Sequence, residues 1–263
     1  MPCLREQKAF RQILGLPFCY VCGKTFVTGE RRTRDHVPAK ACFAVADRSH
    51  PLLLSAHEGC NSSNKLVDEK IGQLIGLRHG AVPEQSKRRL HVRAMKDSDG
   101  GMMGGVNNLD IPGAVRRWIS AFHAALYSEP LPPQTKHAME TPFQTATMKD
   151  GQIAFQPLRE QHRLLIEVLK RQRAADNLDR IHCNNGKLIY ECVWDRPDDG
   201  GWLCVYGLDV YGWADLGDTK RFQRRGCAGF YVLPERRVPT AATKAAEFRI
   251  LLPTSEPFDP FGN

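Results

Sequence analysis

The sequence contains no continuous apolar run of about 18 residues, the length at which a membrane-spanning helix becomes a candidate. Its first residues also lack the basic segment followed by an apolar segment that marks a signal peptide. We therefore expect a protein that has no membrane partner and works in the cytoplasm. Internal repeats and low-complexity tracts do not occur either, which excludes a repeat architecture. With 263 residues, the chain can bury the core of one large domain or two modest ones.

The nine cysteines do not have the spacing of a disulfide framework. Their number is odd, and they are scattered along the whole chain. Only Cys19, Cys22 and Cys60 belong to residue pairs with the spacing of metal ligands. We interpret Cys42 as a buried small apolar residue rather than as a ligand. This cysteine usage favours a reducing cytosol over an oxidising compartment.

Positive charge is concentrated in the first third of the chain. Residues 1–97 hold 17 Lys+Arg against 9 Asp+Glu, whereas the remaining residues hold 20 of each. This distribution favours a polyanionic partner for the first third, because contacts to phosphates dominate affinity for nucleic acids. The alternative is a basic, solvated surface that has no partner.

Two pairs of possible metal ligands delimit the stretch from Cys19 to Lys65. Cys19 and Cys22 form the first pair, His57 and Cys60 form the second, and two residues separate the members of each pair. A structural zinc ion takes four Cys or His ligands in tetrahedral geometry, commonly as two close pairs that the fold brings together. We therefore predict a zinc site here, against the alternative that the three cysteines are ordinary thiols.

The dipeptide Asp35-His36 lies between the two pairs, and Asn61 directly follows the second pair. Hydrolysis of a phosphodiester needs an activated water and a cation that neutralises charge on the phosphate. An imidazole can activate water, and carboxylate and amide oxygens are suitable ligands for Mg2+. Taken alone, Asp-His is most often an ordinary surface pair. Its position between the two ligand pairs indicates instead a catalytic site in which Asp35 and Asn61 bind the cation.

The surrounding patterns predict the elements of the N-terminal part. We expect an amphipathic helix over residues 3–14, a strand-turn-strand over Phe18–Phe26, a buried strand at Leu52–Leu54, a helix from Asn61 and a basic helix over residues 84–97. The basic helix either lies on a phosphate backbone or is a solvated face. The Gly- and Met-rich segment 98–109 is predicted to be a flexible linker. It separates an N-terminal domain of residues 1–97 from a C-terminal domain of residues 110–263.

The C-terminal domain is expected to combine helices with an antiparallel, β-rich region. Asp110 should cap a helix that ends before Pro130, and the apolar spacing of that helix indicates that His123 is a packed residue. A loop over residues 130–142 and a helix over residues 161–175 should follow. The predicted strands lie around residues 187–194, 202–211 and 229–233. The tryptophans of this region, Trp194, Trp202 and Trp213, either stack on bases or belong to the core.

The motif residues resemble those of the HNH, or ββα-metal, endonucleases. The spacing from Cys19 through Asp35-His36 to Cys60-Asn61 is similar to that of the phage endonuclease VII group. The Asp-His-Val-Pro run, the Cys-Asn end and the acidic helix start at Asp68-Glu69 resemble a group of bacterial HNH proteins. This specific resemblance covers residues 18–78. It implies an α+β protein in which an N-terminal ββα-metal nuclease fold with zinc precedes a helical and antiparallel β-rich C-terminal half.

The resemblance also implies a role for each matching residue. His36 would be the general base, and Asp35 and Asn61 would bind a single Mg2+ or Mn2+ ion. Structural zinc would be bound by Cys19, Cys22 and Cys60, together with His57, which stands where the family usually has a cysteine. His50 stands where the family has an asparagine that orients the motif. The candidate contacts to phosphate are Lys65, Arg34, Lys87, Arg88 and Arg89.

Three functions are compatible with this sequence. The first is a metal-dependent endonuclease that acts on DNA, with the C-terminal half selecting the substrate or a protein partner. The second is a zinc-stabilised module that binds nucleic acid without cutting it; the joint presence of Asp35, His36 and Asn61 argues against this. The third is a nuclease toxin or an effector of bacterial or phage defence, in which the C-terminal half is a sensor or an interaction surface.

Overall fold

The computed structural model describes residues 3–4, 15–49, 51–79, 91–96, 102–106, 108–133, 135–140, 146–149, 152–155, 160–195, 202–211 and 227–233. Its helices are α1 (Glu58–Ser62), α2 (Lys65–His79), α3 (Ile111–Tyr127) and α4 (Glu160–Ala174). The strands of the N-terminal part are β1 (Cys3–Leu4), β2 (Arg32–His36), β3 (Leu53–His57), β4 (Val92–Lys96) and β5 (Met102–Val106). The later strands are β6 (Lys136–Glu140), β7 (Ala146–Lys149), β8 (Gln152–Phe155), β9 (Asp179–Cys183), β10 (Leu188–Asp195), β11 (Trp202–Val210) and β12 (Cys227–Leu233).

Helices and antiparallel sheets together confirm the predicted α+β class. The largest sheet has six strands in the order β1-β9-β10-β11-β12-β6. Its neighbouring strands are antiparallel, except that β1 pairs with β9 in parallel. Among the described residues, no helix has the length and apolar character needed to cross a membrane.

Both faces of the large sheet are covered. Helix α4 lies against one face, where Val168 and Leu169 pack with Val205 and Phe230 in an apolar cluster. Helix α3 lies against the other face, where the Phe122 ring stacks on Tyr190. Strand β10 is therefore buried along nearly its whole length. This explains why its sequence is apolar without strict alternation.

Helix α3 connects the sheet to the N-terminal part of the chain. The side chain of Asp110 accepts a hydrogen bond from the Gly113 backbone N–H at 2.9 Å, which confirms the predicted N-cap. The helix is apolar and buried on nearly every side, as expected for a helix in the interior. One core contains Trp118 of α3, Leu54 of β3 and Ile71 of α2. Residues from both sides of the predicted linker thus share a core, and the division into two domains stays a prediction.

The N-terminal motif forms a hairpin followed by two helices. Strands β2 and β3 pair antiparallel, with Asp35 opposite Leu54. The helix that was expected from Asn61 begins earlier, at Glu58, and is interrupted before α2 begins at Lys65. Asn64 lies in this interruption, and its side-chain amide donates to the Cys60 carbonyl at 2.8 Å. The side chain of Asn64 thus competes with the backbone for that carbonyl, which favours a turn over a continuous helix.

Several sequence expectations differ from the observed elements. Cys3 and Leu4 form strand β1 rather than a helix, because β9 offers them an edge to pair with. Residues 92–96 of the predicted basic helix form β4, and the predicted linker contains β5, which pairs with β4. The expected loop over residues 130–142 contains β6, which pairs with β12. In each case hydrogen bonds to a neighbouring strand outweigh the local sequence preference.

Candidate metal centre

The first ligand pair lies in a tight turn before β2. The Cys19 backbone N–H donates to the Lys24 carbonyl at 2.9 Å, and the Gly23 N–H donates to the Cys19 carbonyl at 2.8 Å. Gly23 has a φ of 75°, a left-handed conformation that glycine adopts without strain. The turn therefore holds the Cys19 and Cys22 side chains on one side of the chain.

Four side chains converge between this turn and the start of α1. The ligand atoms of Cys19, Cys22, His57 and Cys60 all lie within 4.8 Å of one another. His57 Nδ1 is 3.3 Å from Cys22 Sγ and 3.9 Å from Cys60 Sγ. Three thiols and one imidazole are a common ligand set of structural zinc. The structure thus brings together the four residues that the sequence predicts as zinc ligands, in a group that could hold a metal ion.

The chemistry of the three thiols also fits a cation. Burial, followed by the neighbouring Cys19 and Cys22, raises the pKa of Cys60 to about 12. A thiol with a pKa this high stays protonated on its own, whereas a bound zinc ion stabilises the thiolate of a cysteine ligand. When bound, zinc would be held by Cys19, Cys22, His57 and Cys60. It would join the Cys19–Cys22 turn to the junction of β3 and α1.

Glu30, which was not predicted as a site residue, orients the imidazole of this cluster. Its Oε1 lies 3.1 Å from His57 Nε2, and its Oε2 accepts the Val27 backbone N–H at 3.1 Å. Nδ1 of His57 is therefore the nitrogen that faces the thiols. A carboxylate on the second nitrogen of a metal-binding histidine fixes its tautomer and orientation. The sequence feature that could have identified Glu30 is its position as an acidic residue in the turn after the first cysteine pair.

Strand β2 divides the predicted catalytic residues between its two faces. Alternation along a strand places Asp35 with Thr33 on one face and His36 with Arg34 on the other. The face of Asp35 points into the protein, and Asp35 is only 5% exposed. The other face is more accessible: Arg34 is exposed and His36 is half-buried. Asp35 and His36 are consecutive residues, but they occupy different environments.

Asp35 is held by two partners from other segments. The Tyr20 hydroxyl donates a hydrogen bond to Asp35 Oδ2. Nη1 of Arg117, on helix α3, lies 3.5 Å from the same oxygen. Burial raises the pKa of Asp35, while the hydrogen bond from Tyr20 and the positive charge of Arg117 act to lower it.

Arg117 also contacts a second carboxylate, that of Asp68 on helix α2. Both side chains are largely buried. Burial raises the pKa of Asp68 to about 6, although the charge of Arg117 opposes that shift. Tyr20 and Arg117 were not predicted as site residues, and Asp68 was predicted only as part of an acidic helix start. The sequence signal for Arg117 was a charged residue next to the apolar run that begins at Trp118.

His36 has a neutral imidazole at neutral pH. Burial, followed by the positive charges of Lys40 and Arg48, lowers its pKa to about 4. A neutral imidazole can accept a proton, which a general base must do. His36 is therefore in the protonation state that its predicted role requires, but a pKa of about 4 makes it a weaker base than an ordinary histidine.

Asn61, in helix α1, contacts the inner face of β2 through Thr33. Its side-chain amide donates to Thr33 Oγ1 at 3.1 Å, and Thr33 Oγ1 donates to the Ala56 carbonyl at 3.3 Å. Asn61 is thus beside Thr33, two residues before Asp35 on the same face of the strand. The other predicted phosphate contact at this end, Lys65, is exposed at the start of α2. The predicted residues His50, Lys87, Arg88 and Arg89 lie outside the described part of the chain.

Comparison with known proteins gives no assignment. No protein-family model, no curated protein and no solved structure matches this chain.

Proposed function

We propose that this protein is a metal-dependent endonuclease of the HNH type that hydrolyses phosphodiester bonds in DNA. One observation carries the proposal: the Cys19-Cys22-His57-Cys60 cluster adjoins the hairpin and helix that present Asp35, His36 and Asn61. A structural zinc at this cluster would fix the hairpin against the helix. The order of strand, strand and helix supports the resemblance to ββα-metal nucleases.

Asp35 and Asn61 are the proposed ligands of a Mg2+ or Mn2+ ion. Such a cation, when bound, supplies positive charge that offsets the charge developing on the phosphate. Asn61 donates its amide N–H to Thr33, which leaves its carbonyl oxygen as a ligand of the type that Mg2+ prefers. Within this proposal His36, neutral at physiological pH, accepts a proton from the attacking water.

A row of basic side chains supports DNA as the partner. Arg32 and Arg34 are exposed and share the outer face of β2 with His36. The guanidinium of Arg32 lies over the Phe26 ring, 4.6 Å from its centroid. Positive side chains in line with the proposed base would contact backbone phosphates and bring the scissile bond to His36. A cytoplasmic location and a protein partner for the C-terminal half belong to the same proposal.

A second candidate is a zinc-stabilised module that binds nucleic acid without cutting it. The contact between Asp35 and Arg117 favours this candidate, because a carboxylate paired with arginine has less charge to offer a cation. Both candidates require the zinc cluster and the basic face. They differ in whether Asp35 and Asn61, on the inner face of β2, and His36, on its outer face, act together on a phosphate. Their separation across the strand favours the binding module.

Cleavage of supercoiled plasmid separates the two candidates. The full chain is incubated with plasmid in Mg2+, in Mn2+ and in a chelator of divalent cations, beside the variants His36→Ala and Asn61→Ala. His91→Ala is the matched histidine control, since His91 contacts Glu69 on α2 rather than the proposed site. We expect cation-dependent cutting by the parent and by His91→Ala, and none by His36→Ala. Retention of DNA in a shift assay without any cutting would support the binding module instead.

A further inference from the structure

Arg117 is the one side chain of helix α3 that, among the described residues, contacts both Asp35 and Asp68. Its side chain is 6% exposed, compared with 7% for Asp35 and 13% for Asp68. One positive charge is thus enclosed with two carboxylates away from solvent. Placing an arginine there costs desolvation energy, and a well-packed apolar side chain would often stabilise the fold equally well.

Two side chains that bind Asp35 converge on one of its oxygens. Tyr20 donates to Oδ2, and Arg117 approaches the same Oδ2. The His36 backbone N–H also hydrogen-bonds to this carboxylate. Partners from different directions thus fix the rotation of the carboxylate. Asp68 in turn holds the other nitrogen of the guanidinium, Nη2, so that Arg117 cannot swing away from Asp35.

Three elements therefore determine the orientation of Asp35. Tyr20 belongs to the turn between Cys19 and Cys22, Asp68 belongs to α2, and Arg117 belongs to α3. Residues that hydrogen-bond to a metal-binding side chain commonly change the affinity of the site for the metal. The position of Arg117 matches that role with respect to Asp35.

We propose that Arg117 is a positioning residue: it orients the Asp35 carboxylate for a divalent cation, and Asp68 holds Arg117 in place. Helix α3 of the C-terminal half then completes the metal site of the N-terminal half. This inference rests on the proposed function, in which Asp35 is a cation ligand. It differs from a purely structural ion pair because it predicts a change in cation affinity at constant fold.

The test measures Mn2+ binding by the electron paramagnetic resonance signal of the free ion, and plasmid cleavage as a function of Mn2+ concentration. The full chain is compared with Arg117→Met, Arg117→Lys and Asp68→Asn, and binding that disappears in Asn61→Ala is assigned to the proposed site. Arg116→Met is the matched control, because Arg116 is exposed on the same helix and donates to the Pro133 and Thr135 carbonyls. Zinc content and melting temperature identify any variant that has not folded.

We expect Arg117→Met to need on the order of 10-fold to 100-fold more Mn2+, as for other groups that orient metal ligands. Arg117→Lys, which keeps the charge, should recover part of the affinity, and Arg116→Met should behave as the parent does. If Arg117→Met does not fold, the Mn2+ affinities of Arg117→Lys and Asp68→Asn are compared with that of the parent instead. Both variants should bind Mn2+ more weakly than the parent.

Two results would overturn this inference. Unchanged Mn2+ affinity in folded Arg117 and Asp68 variants would make the ion pair purely structural. Tighter Mn2+ binding in Arg117→Met would mean that Arg117 competes with the cation. Either result leaves the proposed function intact if the parent cuts DNA. A parent that neither binds Mn2+ at this site nor cuts DNA would reject the proposed function itself, and this inference with it.

Discussion

The imidazole of His57 lies between Glu30 and Cys22, with Nε2 3.1 Å from Glu30 Oε1 and Nδ1 3.3 Å from Cys22 Sγ. The Phe26 ring meets the imidazole edge to face, with 4.9 Å between the ring centroids. One nitrogen is thus committed to the carboxylate and the other to the thiol cluster. This arrangement predicts how the cluster responds when a ligand or its supporting carboxylate is changed.

Replacement of a cysteine ligand should remove zinc and destabilise the fold. Cys22→Ala leaves three ligands and should lower both the zinc content and the melting temperature, because binding of a structural metal contributes folding free energy. Cys42→Ala is the matched control: Cys42 is fully buried but lies outside the ligand group. Zinc is measured by atomic emission on the purified proteins. Equal zinc content and melting temperature for Cys22→Ala and the parent would contradict a structural zinc site.

Loss of the Glu30 carboxylate should weaken zinc binding without abolishing it. In Glu30→Gln, a neutral amide replaces the carboxylate that orients His57, and we expect zinc affinity to fall by about 10-fold to 100-fold. Competition with a chromogenic chelator measures the change. Glu58→Gln is the control, because Glu58 is an exposed acidic residue that pairs with Arg31 instead. If both variants retain zinc as the parent does, the contact between Glu30 and His57 does not support the metal site.

Helix α2 lies so close to Ala41 that an alanine at position 72 would displace the backbone there. A Cβ built on Gly72 would lie 2.5 Å from the Ala41 Cβ and 2.7 Å from Ala41 backbone atoms. Alanine normally favours a helix over glycine by about 1 kcal/mol. Here the backbone of Ala41 would have to move, so we expect Gly72→Ala to lower the free energy of unfolding by about 1 to 3 kcal/mol.

Gly59→Ala is the comparison for that experiment. It is also a helical glycine, but nothing lies within 4 Å of a Cβ built on it. We expect urea denaturation to show Gly59→Ala at least as stable as the parent. A Gly72→Ala protein as stable as Gly59→Ala would mean that α2 can move away from Ala41, and would argue against a rigid support for the segment after His36.

The part of the site that depends on local spacing could be predicted from the sequence, and the part that depends on long-range contacts could not. The spacing within each ligand pair, with two residues between the members, is enough to predict the group of Cys19, Cys22, His57 and Cys60. Arg117 lies 82 positions after Asp35, and no local pattern relates them. The pairing of β6 with β12 was missed for the same reason, since Ala228 pairs with Glu140, which lies far earlier in the chain.

The buried His123 should make the protein less stable in mild acid. Burial lowers its pKa to about 3, from an ordinary value of 6.5. The unfolded chain therefore takes up a proton near pH 6.5, while the folded chain does not until pH is much lower. Stability from this residue is present above pH 6.5 and is lost as pH falls, by up to about 1.4 kcal/mol per pH unit.

His123→Gln tests this pH dependence, because glutamine does not titrate and can still hydrogen-bond the Tyr231 hydroxyl, which lies 2.9 Å from His123 Nδ1. Urea denaturation between about pH 5 and pH 7 measures the free energy of unfolding. We expect the variant to lose less stability than the parent over this range. Burial also lowers the pKa of His137 to about 3, and the pKa values of His36 and Asp68 are shifted as well, so the parent's slope has several sources and only the difference between the proteins reports on His123. If both proteins lose the same stability as the pH falls, His123 takes up its proton in the folded state over the same pH range as in the unfolded chain.

The outer face of β2 should determine how salt affects DNA binding. Each lysine or arginine that neutralises a phosphate releases counterions, so the affinity falls linearly with salt on logarithmic axes. Arg34→Gln should weaken binding to unrelated DNA sequences about equally and reduce the salt slope by about 1. Arg171→Gln, at an exposed position on α4, removes the same charge at a distance from the motif and should leave the slope unchanged. Fluorescence anisotropy with a labelled duplex, at several salt concentrations, measures both slopes. If the two variants share the parent's slope, DNA does not lie on this face, and the proposed approach of the phosphate to His36 is wrong.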